Sequence, residues 1–136
     1  MSYGVAAALQ AAVYQTLVND AALDALVDGA IYDAAPSGTV PSLYVALGPE
    51  DVIDASDVSG GGARHEFVVS VVSDSAGFLT AKQVAAAISD ALVDVDLVLS
   101  RGTLVGLWFA SAKARRVQDS DVRRIDIRFV ARVDDI

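Results

Sequence analysis

The chain has 136 residues, 54% of them hydrophobic and 21% charged, with one histidine, no cysteine and a formal net charge of −8. That is one domain with enough apolar surface to bury a core, and it excludes disorder, a disulfide scaffold, every thiolate site and a multi-histidine zinc site. A negative balance argues against a general nucleic-acid binder, and no stretch is long and apolar enough to span a bilayer.

Residues 4–18 read as a helix, because Val5, Leu9, Val13 and Leu17 form one apolar stripe. The first residues, Met1 to Gly4, hold no basic side chain, so no secretory signal is expected. Asp20 is placed to cap a short second helix over 21–27, with Leu23, Leu26 and Val27 inward and Gly29 as its stop. Ile31 and Tyr32 can pair briefly as a strand. Pro36-Ser37-Gly38 reads as a turn, and Ser42 to Leu47 as a strand that Gly48-Pro49 ends. Residues 48–62, with Glu50, Asp51, Asp54, Asp57 and the run Gly60-Gly61-Gly62, read as an acidic, glycine-rich loop that is mobile or functional.

Arg64 to Ser73 reads as a central strand, apolar on both faces. Thr80 and Gln83 have capping-box spacing at the start of the clearest helix, and Leu79 and Val84 have staple spacing. Val84, Ile88 and Leu92 are its buried stripe. Leu97 to Leu99 can form a short strand. Leu104 to Val117 reads as a long strand with Trp108 in the core. Val122 to Val133 alternates most strongly: Ile125, Ile127, Phe129, Ala131 and Val133 face one way, and Arg124, Asp126, Arg128 and Arg132 the other. The last two strands form an antiparallel hairpin. The order predicts a single α+β domain over 1–136, with N-terminal helices and one central helix packed on a mainly antiparallel sheet.

No catalytic constellation emerges. His65 and Glu66 are neighbours on a strand and point to opposite faces, so Glu66 cannot orient the ring. A structural or surface histidine is the plain reading. The triple glycine is followed by neither a Lys-Ser/Thr pair nor a helix, so it is no phosphate loop. Glu50-Asp51 and Asp134-Asp135 lack calcium-loop spacing. No catalytic residue, no metal and no cofactor are expected.

Charge is distributed unevenly. Residues 1–63 hold no Lys or Arg and eight acids: Asp20, Asp24, Asp28, Asp33, Glu50, Asp51, Asp54 and Asp57. Lys113, Arg115, Arg116, Arg123, Arg124, Arg128 and Arg132 cluster on the hairpin. Like charges on adjacent strands repel unless something neutralises them. Acids of the same chain, Asp119, Asp121 and Asp126 among them, are one solution. An acidic partner surface is the other: nucleic acid, a different protein, or another copy. Arg115, Arg116, Arg124, Arg128 and Arg132, with Asp20, Asp24, Asp28, Glu50, Asp51 and Asp54, are the interface candidates.

The segments "VNDAALDALVDGAIYDAAPSGTVPSLYVALG", "HEFVVSVVSD", "AKQVAAAISDALVD", "LVGLWFASAKARRV" and "RRIDIRFVARV" stand in the order and spacing of a known family. The chain resembles, over about residues 4–133, the tail-completion (tail terminator) proteins of long-tailed phages in the version found in gene transfer agents. The resemblance implies an α+β subunit, a homo-hexameric ring and no enzymatic role. It implies a place at the head-tail junction of a phage-like particle, assembled in the bacterial cytoplasm. Its implied partners are the tail tube protein and the head-tail connector, with DNA passing through the lumen and not bound by sequence. The rivals are a stopper or tube protein, a small DNA-binding module using the arginine hairpin, and a small hydrolase using His65.

Overall fold

The computed structural model describes residues 3–34, 37–56 and 61–136. Three helices, α1 (Ala6–Val18), α2 (Ala21–Val27) and α3 (Leu79–Leu92), pack on five strands. These are β1 (Ile31–Tyr32), β2 (Leu43–Asp54), β3 (Gly62–Ser73), β4 (Thr103–Arg116) and β5 (Arg123–Asp134). The sheet order is β1-β2-β3-β5-β4, antiparallel throughout except for the short β1·β2 pair. This is the α+β arrangement expected, hairpin included.

Alternation builds the core. Val69 and Val71 of β3 and Ile125, Ile127 and Phe129 of β5 turn to the helices and are buried. Leu9 and Leu17 of α1, Leu23 of α2, and Ile88 and Leu92 of α3 meet them, all fully buried. Phe129 lies at the centre, stacked on Phe67 at 5.7 Å and edge-on to Phe109 at 6.4 Å. The other sheet face carries Glu66, Val68, Arg124, Asp126 and Arg128, all partly exposed.

Asp20 caps α2 as expected, its carboxylate accepting from the Leu23 N–H at 2.9 Å. The stop comes one residue early: Asp28 is already left-handed, with φ 52°, ahead of Gly29. β2 does not end at Gly48-Pro49. The ladder slips between Leu47 and Glu50, then resumes with Glu50 to Asp54 paired to Phe67 to Ala63. Pro49 has no N–H to give, and a slip in the register is where a strand tolerates that. Much of the expected acidic loop is therefore strand; residues 57–60 lie outside the described residues.

Two expectations for α3 and its surroundings fail. Phe78, not Thr80, occupies the cap and makes no side-chain capping bond, and Leu79 is 73% exposed, so there is neither a capping box nor a staple. The Phe78 ring instead holds the Lys82 ammonium and the Arg123 guanidinium at 5.9 and 5.7 Å. Leu97 to Leu99 is unpaired, with Leu97 and Leu99 packed against the core and Val98 turned out. Gly102, φ 78°, closes the chain onto β5: a Cβ there would meet the Asp134 carbonyl oxygen at 2.7 Å and Val5 at 2.8 Å.

The two sheet edges differ. On β1, the Ile31 N–H donates to the Gly29 carbonyl at 2.8 Å, and the Ile31 carbonyl accepts from the Tyr14 hydroxyl at 3.3 Å. That edge is sealed. β4, at the opposite end, is an edge strand of 14 residues that the segment after α3 touches once, the Asp94 N–H donating to the Leu107 carbonyl at 3.2 Å.

Candidate functional site

The hairpin register places Lys113 opposite Asp126, Arg115 opposite Arg124, Ser111 opposite Arg128 and Gly106 opposite Arg132, all on the face away from the helices. Arg116 and Arg123 pair on the other face. The expected stripe is thus divided between two faces.

Asp126 is the hub of the open face. Its carboxylate accepts from Ser70 Oγ at 2.7 Å and Arg124 Nε at 2.9 Å, and Arg115 lies 3.9 Å away. Burial pushes its pKa up, but the Ser70 hydroxyl and the guanidinium of Arg124, with Arg115 beyond, more than offset this and hold it below the usual value. Arg124 Nη2 also donates to Ser70 Oγ at 3.1 Å. Arg128 stands 3.7 Å from Glu66, which Arg64 also approaches at 3.4 Å. Arg132 donates to the Ala55 carbonyl at 2.8 Å. Arg116 donates to the Ser120 carbonyl at 2.8 Å and lies 3.9 Å from Asp121. Acids of the same chain therefore answer part of the stripe. Lys113 has no ion pair among the described residues. A cavity of about 400 Å³ opens here, lined by Lys113, Arg124, Arg128 and Asp126 with Pro49 and Val68.

Sequence reasoning missed the apolar part of this edge. Trp108, expected in the core, is 44% exposed, with Phe109 at 47% and Val105 at 60%. A period-2 pattern shows which residues share a face but not that the strand is last in its sheet. Register slips between Leu104 and Gly106 and between Phe109 and Ser111 interrupt this edge, and such bulges are common on edge strands.

The acidic candidates lie elsewhere. Asp24 and Asp28 are exposed on α2, while Asp20 is committed to its cap. Asp51 is exposed on β2, and the Asp54 carboxylate accepts from the Ser56 N–H and hydroxyl, which hold its pKa below the usual value. Glu50 joins two residues: Oε1 accepts from the Tyr3 hydroxyl at 3.0 Å, and Oε2 is 3.1 Å from His65 Nδ1. The Tyr3 hydroxyl titrates higher beside that carboxylate. A groove of about 640 Å³ runs between α1 and this end of the sheet, lined by Tyr3, Ala7, Gln10, Ala11, Asp33 and Glu50 among others.

His65 is fully buried, and its partner is Glu50, brought across the β2·β3 ladder. It is a structural position. No cluster of three metal-ligating side chains exists among the described residues, and none of their helices is long and apolar enough to cross a membrane. One end of the sheet thus presents an aromatic, basic edge strand and the other an acidic groove.

The family described as tail completion protein gp17 matches residues 11–134. The chain belongs to that family. A solved structure titled "Virion of native gene transfer agent (GTA) particle" contains a chain with 66% sequence identity to this one. The likeness covers 98% of this chain and 99% of that one, with a TM-score of 0.92. No curated protein sequence matches. Membership of the tail completion family, with this likeness to a chain of a gene transfer agent particle, supports a structural tail component.

Proposed function

We propose that this tail completion protein is the terminator of a phage-like particle, a structural part and not an enzyme. Six copies form a ring at the head-proximal end of the tail tube, stop its growth and present a surface to the head connector. DNA passes through the lumen. The observation that carries this reading is the end-to-end likeness to a chain of a native gene transfer agent virion.

The physical features agree with it. A ring is built from heterologous contacts, in which one patch of a subunit meets a different patch of the next. Opposite sheet ends of unlike charge suit such a contact. Arg115, Arg116 and Arg128 reach outward on long or single pairs, and an arginine fork binds carboxylates at interfaces well. Asp24, Asp28, Asp51 and Asp54 are exposed acids on the other flank. A net charge of −8 leaves few phosphate contacts to hold DNA as it slides.

The test is removal of the gene from the producing cell, read by electron microscopy. Tubes of uncontrolled length beside filled, tailless heads are the expected result. Particles with normal tails would overturn the reading. Heads that lose their DNA would point to a stopper, and absence of tubes to a tube protein.

A further inference from the structure

The groove beside α1 and the exposed β4 edge from Trp108 to Arg116 lie at opposite ends of one sheet, and their features complement each other. α1 carries no charged residue along its 13 positions. Its exposed Ala7, Gln10 and Ala11 form the floor of the groove, and the carboxylates of Asp33 and Glu50 flank it. Interface centres are depleted of charge and enriched in aromatic residues, with polar rims. The β4 edge offers the converse: Phe109 on the helix side of the sheet, followed by small Ala112 and Ala114, with Lys113 and Arg115 on the open side.

The ladder also matches the two in length. Glu50 shares a row with Phe67, Phe129 and Phe109. Tyr32 shares a row with Ala46, Ser70, Asp126 and Lys113. The groove from Glu50 to Asp33 thus spans the same rows as β4 from Phe109 to about Ala112. A copy turned about an axis along the strands brings its β4 level with the next copy's groove. The strands would also run antiparallel there, because β2 and β4 are antiparallel within the sheet.

We infer that the α1–β2 groove is the seat for the β4 edge of a second copy, with Phe109 against the Ala7–Ala11 face and Lys113 against Asp33. This rests on the ring reading above and specifies its subunit contact. Charge complementarity selects the occupant: residues 1–63 hold no Lys or Arg, whereas the edge strand carries Lys113, Arg115 and Arg116.

The absence of cysteine makes the test clean. Particles are assembled from the double variant Ala11→Cys with Ala112→Cys and treated with a short bis-maleimide. A ladder of covalent multimers is expected, and each single variant should give monomer. In parallel, Asp33→Lys should reduce particle number about tenfold or more, since like charges then face each other across the contact. Combining it with Lys113→Asp should restore assembly. Particles that contain the double-cysteine chain at the tail end yet give no multimers would overturn the seat while leaving the terminator reading standing. So would normal assembly of Asp33→Lys. A chain missing from the tail end of the particle would sink the terminator reading itself.

Discussion

Asp126 stands opposite Lys113 and accepts hydrogen bonds from Ser70 and Arg124. Its folded pKa is below the ordinary carboxylate value. The stabilisation it supplies is therefore complete above the unfolded value near pH 4 and is lost as the pH falls through the lower, folded value. Asp126→Asn should destabilise the subunit by roughly 1 kcal/mol at neutral pH, the scale of a partly exposed, charge-assisted pair. The gap to the parent chain should close on acidification. Thermal melts of both proteins at pH 7 and pH 3 measure this; an equal gap at both would mean that Asp126 acts by packing and not by charge. Glu50 shows the same economy of carboxylates. One side chain serves the exposed Tyr3 and the buried His65, and no pattern local to residues 64–66 points to a partner 15 positions away.

β4 and β5 form one hairpin yet have different environments. β5 is flanked on both sides, and its alternation in sequence translates directly into buried and half-exposed rows. β4 has one strand neighbour, so Trp108 and Phe109 stay half exposed although their sequence surroundings look like core. Trp108→Ser should leave the fold intact at a cost of about 1–3 kcal/mol, because roughly half of this large side chain is already in water. Assembly should suffer, since exposed aromatic side chains are common anchors of interfaces. Circular dichroism beside a particle count decides it, and a variant that assembles normally would exclude Trp108 as an anchor. The same contrast explains what was legible in the sequence. Periodicity reported α1, α2 and β5 well, because each buries a regular stripe or row, and β3 was legible from apolar residues on both of its faces. The extension of β2 past Pro49 was hidden, since a bulge absorbs the very residues that signal a stop. The α3 cap was misread because spacing alone cannot show that Leu79 points into solvent. Of the interface candidates, the chemistry was visible, but their division between two sheet faces needed the register.

For the whole molecule, the distribution of charge outweighs its total. Arg124 is bound into the Asp126–Ser70 network, whereas Arg115 and Arg128 reach their acids only at 3.9 and 3.7 Å. Arg115→Glu with Arg128→Glu should thus keep the circular dichroism of the parent while lowering the count of completed particles. Unfolding of this variant would show that the open face needs its positive charge for its own stability. Normal folding with normal assembly would remove these two arginines from the contact.

The Tyr14 hydroxyl on the Ile31 carbonyl also limits how copies of this chain can stack strand to strand. A strand-rich protein with two open ends can stack without limit, and such stacks precipitate. Here one end is closed by a side chain from the same molecule, so strand addition has no foothold there. Strand pairing from β4 to β4 therefore stops at two copies.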